Sequence, residues 1–370
     1  MCKISGEVKN SDKKTFTAGG YEHITRLIEK AVSNGTRTAT VTGDWEIDRA
    51  VLIPSDFTLI LKDCHLCMSE GSFDNMFRNE HCGTEIGRTA QGRDFNIKLI
   101  GEGEAILDGG IYNGLSEKTQ KTNGMPPIYK NNLVLFSNLD GFEISHINCH
   151  NQRWWAIDLL FCINGRLGDI EFRACDIWID ENGEQRRGLT RPNRRATLVK
   201  NADGIDLRMG CQNILIENIT GFTGDDTIAL TALEGGGVEK DHFVDGMSTD
   251  ICNVVIRNVA SASFCTNVRL LNQGEIRLHD IEIENVTDTS ESSPYMDRGI
   301  YTVRVGDADR LYGTRFSTAE ETYNVSIRNV YSRAERAALH LAGEIGNLTF
   351  ENVTCQDGTP MLQDFRTFKE

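Results

Sequence analysis

The chain has 370 residues, 39% of them hydrophobic and 25% charged, with a net charge of -15 and a pI near 5.1. That is the composition of an ordinary globular protein with ample length for a core. So acidic a surface excludes nucleic acid and anionic membranes as default partners, because phosphate binding needs a basic footprint, and no apolar run of about 18 residues, the length a spanning helix needs, occurs anywhere.

Near the start, "YEHITRLIEKAVSNG" places Ile24, Leu27, Ile28 and Ala31 on one face and ends in Asn34-Gly35, so a helix is expected in a cap region spanning about 15–45. The first residues, "MCKISGEVKNSDKK", lack the apolar stretch of a signal peptide, so the expectation is a cytoplasmic protein, or a secreted one if a leader has been removed. Eleven Cys, an odd number and scattered, include Cys149, Cys162, Cys175 and Cys252 inside strand-like runs, which suits small reduced hydrophobes better than a disulfide framework. "CHLC" at 64–67 has no partner pair for zinc, and "GEGEAILDGG" lacks the following helix that a nucleotide-binding glycine loop needs, so no metal and no cofactor are expected.

Downstream a phrase returns: "DFTLILKDC" at 56, "DFNIKLIGEG" at 94, "GFEISHINC" at 141 and "GDIEFRACDI" at 168 are weak forms. "NILIENIT" at 213, "NVVIRNVA" at 253, "DIEIENVT" at 280, "NVSIRNVY" at 324 and "NLTFENVT" at 347 are strong ones. Alternation of period two marks a half-buried strand, and its return every 23 to 47 residues marks one unit used repeatedly with insertions of variable length. Such units bury their apolar faces by stacking as parallel coils, which makes the chain all-β, a β-solenoid capped at its first coil by the helix. Asn218, Asn258, Asn285, Asn329 and Asn352 recur at the sixth place, where inward amides at a bend can hydrogen-bond from coil to coil. One domain over 1–370 is expected, with loop insertions at 178–200 and 233–250.

Between those insertions lie "NADGIDL" and "GDDTIAL". Aligning Ile205 with Ile228 sets Asp203 opposite Asp226, 23 residues on, with Asp225 one position before. Neighbouring parallel strands lie about 4.8 Å apart, so three carboxylates crowd one place and at least one of them should titrate high, as part of a coupled set. A protonated carboxyl beside ionised ones is the equipment of glycoside hydrolysis. Taken singly, Asp-Gly and Gly-Asp-Asp are turn chemistry; it is their pairing in register that points to a site.

These residues resemble the polygalacturonases, glycoside hydrolase family 28, within the pectin-lyase-like right-handed parallel β-helix superfamily. "NADGIDL" and "GDDTIAL" carry the specific likeness, while "VTGDWEIDRAVLIPSDFTLILKDC", "GEGEAILDGG" and "INCHNQRWWAIDLLFC" match the broader background. The resemblance implies a single-stranded right-handed parallel β-helix and an inverting glycosidase, with Asp225 as general acid and Asp203 and Asp226 holding and activating water. It places Asn201 beside the substrate and favours Trp155 over Trp154 as the residue nearer the groove. The family's Gly-His-Gly and Arg-Ile-Lys are absent. "SASFCTNVRLL" stands at the first, with Phe264 or Cys265 near the expected His, and "DRGIYTVRVGD" at the second, where Arg304 or Arg298, with Arg269 on a neighbouring strand, can replace the basic pair.

The expected substrate is therefore an oligosaccharide or polysaccharide, uronate-containing or related, and the action closer to an exo-acting or oligosaccharide-specific enzyme than to a simple pectin endo-hydrolase. The insertion "IDENGEQRRGLTRPNRRATLVK" offers Arg186, Arg187, Arg191, Arg194 and Arg195 to an acidic sugar. The one after the aspartates offers His242 as a proton donor or sugar ligand. Alternatives on the same scaffold are a polysaccharide lyase or epimerase, a fructan-type transglycosylase, or a catalytically silent carbohydrate-binding relative. A homo-oligomer is compatible with all of them.

Overall fold

The structure, a computed structural model, describes residues 14–110, 131–152, 154–174, 177–179, 185–187, 202–233, 237–273, 276–293, 298–310, 312–313, 315–356 and 358–366. Asn201 and nearly all of the arginine-rich insertion lie outside them.

Each strong repeat forms one corner of a coil. In β11 (Gln212–Thr223) Ile214 and Ile216 are buried at period two, and the next buried residue is Ile219, three places on. The skip occurs because Asn218 takes left-handed backbone, φ 57°, and turns the strand. Asn258, Asn285, Asn329 and Asn352 turn β13 (Ile251–Ser263), β15 (Leu278–Asp288), β17 (Thr322–Ser332) and β19 (Gly346–Cys355) with φ of 58°, 57°, 56° and 52°. Left-handed backbone costs most L-residues about 1–2 kcal/mol, and Asn is among the few that visit it routinely.

The amides do form the expected ladder, but they point to solvent, not inward. Asn258 donates to Asn218 at 3.1 Å, Asn285 to Asn258 at 3.0 Å, Asn329 to Asn285 at 3.0 Å and Asn352 to Asn329 at 3.1 Å, all exposed. The interior is apolar and has nothing to pair with an amide, whereas the outside of the corner lets each amide meet the next. A second ladder, not anticipated, runs five residues earlier through Asn164, Asn213 and Asn253, and again through Asp280, Asn324 and Asn347. Asn258→Ala should therefore destabilise by about 1–2 kcal/mol, read as a lower denaturant midpoint, with Asn258→Gly losing less because Gly accepts the backbone but not the ladder.

The coils stack in parallel. One column runs through β1 (Thr38–Ile47), β3 (Phe57–Met68), β5 (Asp94–Asp108), β6 (Val134–His150), β7 (Ile157–Arg173), β11, β13, β15, β17 and β19. A second runs through β2 (Val51–Ile53), β4 (Phe77–Asn79), the first halves of β6 and β7, β10 (Ile205–Leu207), β12 (Ile228–Ala232), β14 (Thr266–Asn272), β16 (Tyr301–Val305), β18 (Ala337–Gly343) and β20 (Leu362–Arg366). Ile157, Ile205, Ile228, Val268, Val303 and Leu339 occupy matched positions along this column and are all fully buried, so the core is a continuous file of like residues. The architecture is a right-handed parallel β-helix. A short antiparallel pair, β8 (Ile177–Ile179) and β9 (Gln185–Arg187), branches off within the insertion after β7.

The expected helix is α1 (Gly20–Ser33), which buries Ile24, Ile28 and Ala31 over the first coil while Leu27 is partly buried; β1 occupies the rest of the cap region. A second helix, α2 (Gly237–His242), leaves no signal in the sequence: six residues that begin on the last of three glycines show no helical period. Nine cysteines among the described residues are all unbridged.

Candidate active site

Strand register extends into the acidic turns. Gly204 N–H donates to the Asp226 carbonyl at 3.0 Å and Gly224 N–H to the Ala202 carbonyl at 3.0 Å, so the turn before β10 lies directly against the turn before β12. Gly204 is required by contact, since a Cβ there would sit 2.4 Å from the Thr227 carbonyl oxygen. The side chains follow: Asp226 N–H donates to Asp203 Oδ1 at 3.1 Å. Asp203 and Asp226 are buried and Asp225 is half-buried. Donor atoms of Asp225, Asp226 and Cys265 lie within 4.8 Å of one another. The Asp225 carbonyl helps hold the turn, accepting from the Thr223 and Ser263 hydroxyls at 3.0 and 2.6 Å.

The expected crowding thus appears as geometry, and one consequence is electrostatic. Burial first, then the charges of Asp225, Asp206 and Asp226, hold the Asp203 carboxyl well above the usual carboxylate range.

Four residues not singled out from the sequence complete the acidic side. Asp206 and Asp158 are register partners on β10 and β7, both buried on the outer face of the coil. Arg208 lies between them, Nε 3.2 Å from Asp158 and Nη2 3.4 Å from Asp206, and its Nη1 is paired with Glu239 of α2. Burial pushes Asp158 well up and takes Asp206 to about 7 against the pull of Arg208. Three buried carboxyls therefore share one guanidinium. The signal for it lies in "AIDL" and "GIDL", which align as Ile157 and Ile205 do.

Because Asp206 binds its proton more tightly folded (about 7) than at its ordinary value of 3.8, its stabilising contribution is complete below the lower value and lost as pH rises through the higher. The wild-type unfolding midpoint should fall across that window relative to Asp206→Asn, and parallel curves for the two proteins would contradict it.

On the next coils the face turns basic. Arg269 Nη1 lies 3.1 Å from Asp226 Oδ2, and its Nη2 lies 3.0 Å from Asp307, which also pairs with Arg304, the register partner of Arg269. Tyr312 lies under the Arg269 guanidinium, 5.3 Å from ring centroid to Cζ. Between the acidic and basic halves the register position is Ala229, which is itself buried.

The other expected site residues are placed differently. Trp155 gives one ring face to Arg208, 3.6 Å from centroid to Cζ, so that face is closed to a sugar. His242 is buried with Nδ1 3.9 Å from Cys82 Sγ, and Glu239, on the same helix, is the residue that reaches the acidic cluster. Arg298 is half-buried before β16 and enters none of the ion pairs found among the described residues. Of metal-like donor groups, Glu80, His81 and Asp94 form the only other cluster among the described residues, and Asp94 is already taken by Ser55, Asn79 and His81. Cys64 and Cys67 join neither group.

No family model and no curated protein matches the chain. Solved structures do. The polygalacturonase from Erwinia carotovora ssp. carotovora is 13% identical, with 99% of this chain and 100% of that one covered at a TM-score of 0.58. The family GH82 iota-carrageenase from A. fortis is 11% identical, with 98% and 88% covered at 0.58. A hyperthermoactive exopolygalacturonase from Thermotoga maritima is 12% identical, with 92% and 88% covered at 0.51. At such identities the likeness is one of fold: this chain shares the parallel β-helix of polygalacturonases and related β-helix glycosidases.

Proposed function

We propose that the chain is a glycoside hydrolase of the inverting kind, acting on a uronate-containing or related oligosaccharide through Asp203, Asp225 and Asp226. The observation that carries this reading is the stacking of the two acidic turns, with Asp226 N–H on the Asp203 carboxylate at 3.1 Å. Asp225 is the least buried of the three and the one a glycosidic oxygen can reach, so it is the general acid. Asp203 and Asp226 hold and activate the water. Proton occupancy is a property of the coupled set rather than of one residue, so the raised proton affinity of the Asp203 carboxyl is compatible with Asp225 acting as the acid once a sugar is bound.

Arg269 and Arg304, which share Asp307, support an acidic sugar on the far side of Ala229. The lyase alternative needs a neutral base, and Arg269, held between Asp226 and Asp307, is poorly suited to that role. The test is a panel of oligouronides and neutral oligosaccharides, following reducing ends and unsaturated-product absorbance separately. Reducing ends without absorbance are expected; absorbance means a lyase, and neither signal on any substrate means a binding protein.

A further inference from the structure

We propose that Asp225, Asp226 and Cys265 form a binding site for zinc, and that zinc seated there switches the proposed active site off. The switching rests on the hydrolase reading above; the binding does not. The three residues belong to two adjoining coils. Asp225 and Asp226 lie in the turn before β12 and Cys265 in the turn before β14, and the two turns stack, with Thr227 N–H on the Thr266 carbonyl at 2.9 Å. One donor atom from each residue, two carboxylate oxygens and the Cys265 sulfur, all lie within 4.8 Å of one another. Donors on one tetrahedral zinc, at bond lengths of about 2.0–2.3 Å, are roughly 3.3–3.7 Å apart, so small turns of the side chains bring the three onto one ion.

The surroundings of these donors also point to an ion. Asp226 is 2% exposed; Arg269 takes its Oδ2 at 3.1 Å, while its Oδ1 is buried with no hydrogen-bond partner among the described residues. A buried carboxylate oxygen in that position is costly until something positive pairs with it. One side chain sets the other two donors: the Ser263 hydroxyl donates to the Asp225 carbonyl at 2.6 Å and accepts from the Cys265 N–H at 3.1 Å, which ties the two turns together. The Thr266 hydroxyl donates to the Cys265 sulfur at 3.7 Å and so steadies a thiolate. Arg269 and Arg304 stand nearby, but both are paired, with Asp226 and Asp307, so their charge is matched before an ion arrives. Asp225, the least buried of the three, is the side from which the ion enters.

Sulfur decides the metal. A thiolate beside two carboxylates suits zinc, whereas magnesium and calcium take oxygen ligands. As the bond from sulfur to zinc forms, the Cys265 thiol gives its proton to solvent, and the charge of the ion keeps the sulfur ionised. A fourth position is left for water. An Asp225 carboxylate bound to zinc has no proton for a leaving oxygen, so the filled site is the inactive one.

The test is titration of the full-length, reduced protein with cobalt(II), whose bond to a thiolate gives a near-ultraviolet charge-transfer band, followed by zinc. The band is expected to grow to about one equivalent per chain, to vanish when zinc is added, to ignore magnesium and calcium, and to be absent from folded Cys265→Ser. A wild-type protein without the band, or Cys265→Ser with it, would overturn the site. Should Cys265→Ser not fold, Asp225→Asn decides instead: its zinc affinity should fall by about tenfold or more, and an unchanged affinity would overturn the site equally. If the panel yields a substrate, zinc should stop its cleavage in the wild type, and cleavage that continues with the site filled would remove the switch. Zinc binding in a protein that cuts no oligosaccharide would leave the site standing and remove the hydrolase reading alone; cleavage in a protein that binds no zinc would do the reverse.

Discussion

Asp225→Asn is expected to lower kcat by about 10²–10⁴-fold, the range that loss of a general acid costs, while thermal and denaturant midpoints stay at wild-type values. The separation of the two effects follows from the turn. Its hydroxyl contacts, from Thr223 and Ser263, reach the Asp225 carbonyl, which the substitution leaves in place. A carboxamide has the shape of the carboxyl but no proton to give to a leaving oxygen. Full activity in a folded variant would take Asp225 out of the mechanism.

The largest stability effect is expected at Arg208. Arg208→Met keeps the length of the stem over Trp155 but leaves Asp158, Asp206 and Glu239 buried without their cation. Breaking a buried ion pair on one side costs about 3–5 kcal/mol. The loss should shrink in acid, where the carboxyls are neutral, and most of it should be recovered when Asp158→Asn and Asp206→Asn are added. Urea unfolding at two pH values reads all three. A variant as stable as wild type at neutral pH would show that the cluster is held by protons alone.

Both effects come from one face of the β-helix, and the sequence disclosed that face unevenly. The coil was legible because in the strong repeats the inward positions lie two or three residues apart, with Asn at the corner; a period-two pattern needs no tertiary knowledge. Register was legible for the same reason, and aligning Ile205 with Ile228 placed Asp203 against Asp226. The same alignment applied one coil earlier reaches Asp158 and Asp206, which look like ordinary strand aspartates until Arg208 is seen between them.

What the sequence hid depends on where chains of variable length return. Arg269 meets Asp307, 38 residues away, through a turn whose shape no local pattern sets. The outward aim of the Asn ladder follows from left-handed backbone, visible only as dihedrals. The resemblance favours Trp155 as the residue nearer the groove, where an aromatic suits a sugar ring. Arg208 also suits that ring, and it is two residues from Asp206 on the adjacent coil.

The most direct measurement is a crystal structure of Asp225→Asn holding an uncut oligosaccharide from the panel. A glycosidic oxygen within hydrogen-bond reach of the carboxamide that the substitution introduces, with a water between the anomeric carbon and the Asp203 and Asp226 carboxylates, is the result the account expects. A sugar chain bound on another face of the β-helix, with these two turns uncovered, would contradict it.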